Sequence, residues 1–537
     1  MVKLRDGKFL RITKLLKEAL VFVERQCATG YLWIDQICID QDDRNERGEQ
    51  VKVMGQIYSS CSRVLVWLGQ ISNFDAKLSF EGDLEQSHSF KDVSTPRMST
   101  MKHLIRRLRK VAGSGENSAG GLCHRILQSP WFQRAWVFQE IVLPPSALFI
   151  LETISTLPNQ ALTMSLSDLY TMASREAEDI DVDDAIVETI RIMYRRCNEQ
   201  RRLHGHDNSP IEQTLSLLAP RAKTSEELDR LYAFFGLNFD KCINLTPSYD
   251  SSLEVAMIDT ATSIIEGTCS LDLFEVIPRA VEYTINNVGI PTWTPDFREE
   301  HLVIPFKPSK ADFKQLSKSS PNRYPVFIST QTTYYRGTIY CAGEEKRTIQ
   351  AQGFVLDQVD TEIGTLSSRT TLGVQLNALL KRCVKAWKKI NWSVEHQDSL
   401  ASRYKRKVTG LAASTVELGF APIPTMERLC QALAAEGCCA ISDEHLPPFL
   451  SDSAEEASMT TQSMMQIMRG RTLWMTRSGR FALGSYLRCG DHICLAYGSS
   501  NPIALRGEHE MNKVLGTCFL EGWMDPWSTG FAYGLWH

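Results

Sequence analysis

No uninterrupted apolar run in this 537-residue chain approaches the roughly 18–20 residues that a membrane-spanning helix needs. A GxxxxGK[ST] phosphate loop is missing, which argues against ATP or GTP hydrolysis, and so is the GxSxG turn that presents a nucleophilic serine. Internal repeats are absent, so no propeller or solenoid is expected. Neither sign of charge prevails: 59 Lys and Arg against 63 Asp and Glu leave a net charge of −4. That balance gives no broad electrostatic case for nucleic acid or an anionic membrane. The 15 cysteines are scattered, without the density of a secreted disulfide scaffold, and no leader precedes them, so free thiols in a reducing compartment are expected. In residues 1–26, Leu15, Leu16, Ala19, Leu20, Phe22 and Val23 are interrupted by Lys17, Glu18 and Glu24. This is the pattern of an amphipathic helix and not of a signal peptide. The expectation is a soluble, cytoplasmic protein.

What is present is ordinary globular material, 43% hydrophobic and 23% charged, on a chain long enough for two or more domains. Residues 3–13 read as a hairpin turning at Asp6-Gly7, followed by a helix over 14–25. The organising stretch is 31–69. Tyr31-Leu32-Trp33-Ile34 is a short apolar run ending at Asp35, as a buried strand ends at a polar edge. From Glu46, the residues Val51, Met54, Ile57 and Tyr58 recur at helical spacing, and Val64–Leu68 with Gly69 reads as a second strand. Strand, helix and strand predict a βαβ unit with parallel strands. Residues 72–121 are polar and weakly periodic, with a helix suggested only at 101–111, and read as an insertion. Order returns at 122–143, where Ser129-Pro130 suits a helix start and Pro144-Pro145 a stop. Residues 161–198 look helical. Residues 471–525 turn β-rich, with a hairpin at Ser478-Gly479, a Cys489-Gly490-Asp491-His492 turn and a strand over Pro502–Arg506.

Several of these blocks resemble the heterokaryon incompatibility (HET) domain of filamentous fungi. The residues that carry the likeness are Trp33-Ile34-Asp35, Cys38-Ile39, Gln41, Glu46-Arg47, Gln50-Val51, Met54, Ile57-Tyr58 and Trp67-Leu68-Gly69. Pro130-Trp131-Phe132, Arg134, Trp136 and Gln139-Glu140 add a second block, with Asp229-Arg230, Tyr232 and Gly236-Leu237 a third. Asp40 departs from the family pattern, which has Asn there. Thr246-Pro247-Ser248-Tyr249, 290–296 and the β-rich end resemble later parts of full-length HET proteins. The family opens with a strand of the form YxALSYxWG, for which this chain begins too late. The resemblance therefore implies an α/β fold: an N-terminal flavodoxin- or TIR-like parallel sheet lacking its first strand, then an α+β region and a β-rich C-terminal module. The implied domains are a HET domain at 1–150, a mainly helical region at 151–300, a mixed and poorly defined region at 301–465 and the β-rich module at 466–537.

The resemblance also implies a function and a site. Its members act in allorecognition, and the expected output is programmed cell death through association with other incompatibility or signalling proteins, or with further copies of the chain. No nucleic acid is implied. The HET domain is itself distantly similar to the TIR fold, in which NAD⁺-cleaving members carry an essential Glu in a WxxxEI helix; Trp136 to Ile141 fits that form. NAD⁺ is then a substrate, with no resident cofactor, and Glu140 stabilises the ribosyl cation as nicotinamide leaves. Asp35 and Trp136 are the accompanying substrate-binding candidates, Trp136 because i, i+4 places it on the face of Glu140. Read without the resemblance, Glu140 pairs with Arg134 or caps backbone, and Asp35 caps the 38–41 turn. An inactive, shortened family member is a further alternative. Cys38 and Cys61 read as small core residues. Cys489, His492 and Cys494, like Cys438, Cys439 and His445, lack the CxxC pairing of a structural zinc site. One test needs only the sequence. Limited proteolysis should cut first within 72–121, where composition cannot offset ordering entropy, and early cuts within 50–67 would contradict the domain reading.

Overall fold

The structure, a computed structural model, describes residues 2–3, 7, 9–40, 42–71, 126–153, 160–176, 184–202, 211–237, 245–268, 270–277, 289–299, 340–342, 348–351, 353–366, 372–395, 413–415, 420–433, 467–468, 470–496, 498–499, 501–508, 511–521 and 523. The 72–121 insertion, its suggested helix, Cys438, Cys439 and His445 lie outside the described residues. The chain divides into two units, Met1–Asp240 with Thr246–Ser251, and Lys241–Leu245 with Ser252–His537.

The first unit opens as the hairpin expected: β1 (Val2–Lys3) and β2 (Phe9–Leu10) pair antiparallel, and Gly7 between them takes φ 86°, which glycine adopts without steric cost. Helix α1 (Lys14–Gln26) starts at Thr13, whose hydroxyl accepts the Leu16 N–H at 3.2 Å. It buries Ala19 and Phe22, and the Phe22 ring stacks on Trp67 at 4.9 Å. The expected strand at 31–34 does not form. These residues are extended but unpaired, Tyr31 is 88% exposed, and Trp33 packs edge-on against Tyr58 at 6.0 Å. The run is too short to outweigh that packing, and at Asp35 the chain already turns into α2 (Asp35–Cys38). A single turn with no buried residue leaves Cys38 exposed, so it is not the core residue expected, while Cys61 is half-buried.

Helix α3 (Arg44–Ser60) is capped by Asp43, which accepts the N–H groups of Asn45 and Glu46 at 2.8 and 3.2 Å. Glu46 in turn accepts the Asp40 N–H at 3.1 Å, and Asp40 accepts the Asp42 N–H at 3.0 Å. An asparagine side-chain oxygen at position 40 could accept the same N–H. Strand β3 (Val64–Ile71) follows. Its parallel partner is not 31–34 but β4 (Ala147–Thr153), reached after a 3₁₀ turn at Pro130–Gln133 and helix α4 (Val137–Val142). Strand β5 (Gln160–Met164) then pairs antiparallel with β4, so the sheet is small and mixed, β3-β4-β5, where a parallel one was expected. The β4–β5 connection is too short for a crossover, and this enforces the antiparallel pairing. Strand β5 also removes the start of the helix expected from 161, which resumes as α5 (Leu166–Glu176) and α6 (Asp184–Arg202). Helices α7 (Ile211–Leu218) and α8 (Asp229–Phe235) complete the unit. Phe149, Ile150, Leu169, Ile190, Leu215 and Leu231 are fully buried in it.

The second unit begins with α9 (Leu253–Thr268) and a small pair, β6 (Tyr340–Ala342) with β7 (Thr348–Gln350). Its centre is β8 (Gly353–Gly364), in the region the sequence left undefined. The reason it escaped notice is physical: register shifts against both neighbours bring Leu356 and Val359, three residues apart, into one cluster, which breaks the two-residue period of a strand. After β8 come α10 (Leu372–Glu395), β9 (Ala413–Thr415), α11 (Met426–Leu433), β10 (Thr472–Thr476), β11 (Phe481–Gly484), β12 (His492–Ala496), β13 (Ile503–Glu508), β14 (Met511–Thr517) and β15 (Phe519–Leu520). The expected hairpin at Ser478-Gly479 joins β10 to β11, with Gly479 at φ 76°.

The sheet order is β14-β13-β12-β8-β10-β11-β15, with β9 attached parallel to β8. Strands β14 and β15, at its two ends, are separated only by Cys518, so one continuous stretch forms both edges and the sheet curls into a ring. Side chains alternate accordingly. Trp474, Ala482, Ile493, Ala504, Leu515 and Leu520 gather in an inner cluster, whereas Leu473, Met475, Phe481, Leu483 and Phe519 pack with α10 and α11. The Gly490-Asp491 turn and the Pro502–Arg506 strand meet in a buried ion pair, Arg506 donating to both Asp491 oxygens at 2.8 and 2.7 Å. Only 3% of the Asp491 side chain and 14% of that of Arg506 are exposed. Replacing Arg506 by Met would leave a buried carboxylate unpaired and should cost about 3 kcal/mol, read from urea unfolding of this unit.

Candidate functional site

Three stretches far apart in sequence converge on α4: 33–58, 129–140 and 221–249. The Ser129 hydroxyl accepts the Trp131 N–H at 3.5 Å at the start of the Pro130–Gln133 turn. The chain then extends through Arg134, which forms a parallel bridge with Lys223: the Lys223 N–H donates to the Gln133 carbonyl at 2.6 Å and the Ala135 N–H to the Lys223 carbonyl at 3.4 Å. This extended step splits the helix expected over 130–143 into a 3₁₀ turn and α4. Within α4, Val137, Phe138, Gln139, Ile141 and Val142 are buried. Gln139 is a buried amide: its Nε2 donates to the Ala233 carbonyl at 2.7 Å, and its Oε1 has no hydrogen-bond partner among the described residues. That amide fills the space where Gly236 would carry a side chain, since a Cβ there would lie 2.1 Å from Gln139 Oε1. Gly236 also meets Gly55 of α3, so the glycines let two backbones approach.

Glu140 stands at the centre. Glu140 is half-buried, and desolvation raises its pKa; the charge of Arg134 opposes the shift, that of Asp35 adds to it, and the nearby Trp131 side chain opposes it. Tyr58 faces the same group. Its phenol is pushed well above the ordinary value, first by burial and then by the negative charges of Glu140 and Asp35, with Arg134 opposing. Tyr58 is therefore a protonated hydroxyl at any physiological pH. The structure thus brings Glu140 and Asp35 together, although Asp35 begins α2 and does not end a strand as expected. Its Oδ1 accepts the Gln36 N–H at 2.8 Å. Trp136 immediately precedes α4, and its side chain lies near Asp229. The tryptophan beside Glu140 is Trp131.

Asp229 anchors a second, adjoining set. Its carboxylate is 8% exposed and accepts the Tyr249 hydroxyl at 2.6 Å. Burial raises its pKa, against the hydrogen bond from Tyr249, the nearby Trp136 side chain and the charge of Arg47, with Glu226 adding to the rise. Arg47 lies over the Tyr249 ring, 5.1 Å from its centre, and 3.6 Å from Glu226. The Tyr232 hydroxyl donates to the Ser248 carbonyl at 2.9 Å and accepts the Ser248 N–H at 3.2 Å. Sequence reasoning assigned no role to Tyr58, Trp131, Arg47, Asp229 or Tyr249. Their signal was in plain view, since polar and aromatic residues at these spacings serve no simple amphipathic face. Chemically, the arrangement offers a sheltered acid with a neutral phenol, a guanidinium and a second carboxylate beside it. No cluster able to hold a metal ion occurs among the described residues. Of the cysteines weighed for zinc, Cys489 is exposed and Cys494 buried.

The stretch that holds the first two of these converging segments is recognisable: residues 2–140 match the family model described as Heterokaryon incompatibility protein (HET). A particular relative is Heterokaryon incompatibility protein 6, OR allele, of Neurospora crassa, to which the chain is 24% identical over 346 residues. The match covers 55% of this chain and 50% of that relative, so the chain spans about half the length of the curated protein it resembles. No solved structure matches significantly. Among the described residues, no helix is long and apolar enough to cross a membrane.

The raised Glu140 pKa has a sign that can be checked. The folded state holds this proton more tightly than the unfolded chain does. Its contribution to stability is therefore complete below the ordinary carboxylate pKa of about 4.3 and is lost as pH rises through the folded value. Glu140→Gln should flatten this part of the melting-temperature profile and raise the melting temperature at neutral pH relative to wild type. The components due to Asp229 and Asp357, both also raised by burial, should remain.

Proposed function

We propose that this chain acts in heterokaryon incompatibility, its HET domain promoting a cell-death response through association with partner proteins in the cytoplasm. The observation that carries the reading is that the family match runs through the residues that build the interior around α4, so that Gln139, Glu140, Tyr58 and Met54 occupy a folded and internally consistent domain. The relative of the same printed function supports it. Exposed apolar side chains at Leu15, Val21, Tyr31, Leu32 and Ile37 provide surface of the kind that protein partners cover. Expression of the full chain in hyphae fused with a strain of unlike genotype should arrest growth and kill the fusion cell. Unimpaired growth across a panel of such strains would count against the reading.

A second reading is favoured by the setting of Glu140. A sheltered carboxyl group flanked by Arg134, Asp35 and Tyr58 suits TIR-like cleavage of NAD⁺, in which the carboxylate meets the charge that develops on the ribose as nicotinamide leaves. Purified chain would then release nicotinamide, and Glu140→Gln, which keeps shape and removes the charge, should lower turnover about 100-fold or more while the fold survives. If wild type releases none, alone or concentrated into oligomers, the association reading stands without an enzymatic step.

A further inference from the structure

Helix α10 carries a charged surface far along the chain from Glu140. On its inner face, Leu376, Leu379, Cys383, Ala386 and Ile390 are buried with residues of the C-terminal sheet. On the opposite face Lys381, Lys385, Lys388 and Lys389 are exposed, and no Asp or Glu falls between 372 and 394 to alternate with them. Lys381, Lys385 and Lys388 pair with no carboxylate among the described residues. Other helices of the chain answer their lysines within one turn, Lys14 with Glu18 in α1 and Lys52 with Glu49 in α3. On α10 like charges stand three and four residues apart instead, an arrangement that weakens a helix and that an anionic partner would relieve.

We propose that this face of α10 docks an acidic helix of a partner protein. Val374, which is 64% exposed, and then Ala378, Lys381, Lys385 and Lys388 follow one another at intervals of four and three residues, a single stripe along the helix. The three ammonium groups span about 10 Å of helix axis. A second helix with glutamates at the same intervals sets a carboxylate opposite each of them, and Val374 and Ala378 give the seam a small apolar start. Other polyanions fit less well. A helix that lies on a lipid surface buries its apolar face there, and the apolar face of α10 is already covered by the sheet. A nucleic-acid strand is held by aromatic stacking as well as charge. Trp387 instead gives its indole N–H to the Ala421 carbonyl at 2.9 Å and packs on Phe420, and Arg382 donates to the Ile363 carbonyl at 3.1 Å. The inference deepens the association reading, on which it rests for its setting, by naming the chemistry of one partner.

The test uses the full chain and a fluorescent alanine-based helical peptide with glutamates at three- and four-residue intervals, beside a scrambled peptide of the same composition. At physiological ionic strength the patterned peptide should bind about tenfold tighter than the scrambled one, the worth of three surface ion pairs together, and weaken as salt is added. Lys381→Glu, Lys385→Glu and Lys388→Glu combined should abolish that binding and confer binding of the same peptide with lysine in place of glutamate. Replacing the exposed Lys14, Lys17 and Lys223 by Gln should change neither. Equal binding of the scrambled peptide, or equal loss in the Lys14, Lys17 and Lys223 variant, would show diffuse attraction and overturn the proposal. Tighter binding of duplex DNA or of phosphatidylserine vesicles would overturn it too. If the combined Glu variant does not fold, Lys→Gln at the same three positions decides, and its melting temperature should be no lower than that of wild type because the repulsion is gone. Incompatibility in hyphae without peptide binding would strike this inference and leave the association reading standing; peptide binding without incompatibility would do the reverse.

Discussion

The N-terminal unit depends on keeping polar groups satisfied along a short helix that is buried on nearly every side. Burying an amide or a carboxylate without a partner costs several kcal/mol, comparable to the whole stability of a domain. Helix α4 carries both, Gln139 and Glu140, and its neighbours answer them in part, since Gln139 Oε1 has no partner among the described residues. The Ala233 carbonyl accepts from Gln139 Nε2, and the charge of Arg134 offsets that of Glu140. Two glycines, Gly55 and Gly236, complete the enclosure, because only without side chains can α3 and the end of α8 come so near. Arg134, Gln139, Glu140 and Gly55 lie within the stretch that matches the HET family model, and Ala233 and Gly236 beyond it.

The C-terminal unit solves a different problem, the exposed edges of a sheet. One stretch, β14 through Cys518 to β15, forms both ends of the strand order and leaves the ring without a free edge where it closes. A ring of this size has a small interior, and Ala482, Ala504 and Cys518 alternate with Trp474, Ile493 and Leu515 to fill it. On the outer face, α10 and α11 cover Leu473, Met475, Phe481 and Phe519. The bidentate Arg428–Glu521 pair at 2.7 Å, with Arg428 also over the Phe481 ring, fastens α11 to β11, since Glu521 accepts the Phe481 N–H as well.

The two units place the candidate chemistry differently. In the first, charged groups of mixed sign share one sheltered volume, so their protonation states are interdependent. In the second, two buried or half-buried carboxylates are held in bidentate ion pairs, Asp491 with Arg506 and Glu521 with Arg428, while the buried Asp357 accepts hydrogen bonds from the Ser478 hydroxyl and the Gln358 N–H.

Local pattern was enough for some features and insufficient for others. The hairpin at Gly7, the helices at 14–26 and 44–60, and the strands at 64–71 and 472–484 follow from turn residues, caps and periodicity, all of which act within a few residues. Glu140 was legible because a motif marks it. The strand at 31–34 was misread because four apolar residues look the same whether they pair in a sheet or, as Trp33 does, pack on a helix. Strand β4 escaped notice because a short, continuous apolar run carries no period, and β8 because its bulges break the period it would have had. Asp229 and Tyr249 lie about ninety residues or more from Glu140, and nothing local indicates that they close around its helix. The sequence by itself determined the elements whose signals are local, together with the family likeness. Only tertiary structure decided which strand pairs with which and which polar groups share a site, because those depend on contacts between segments that no short-range pattern encodes.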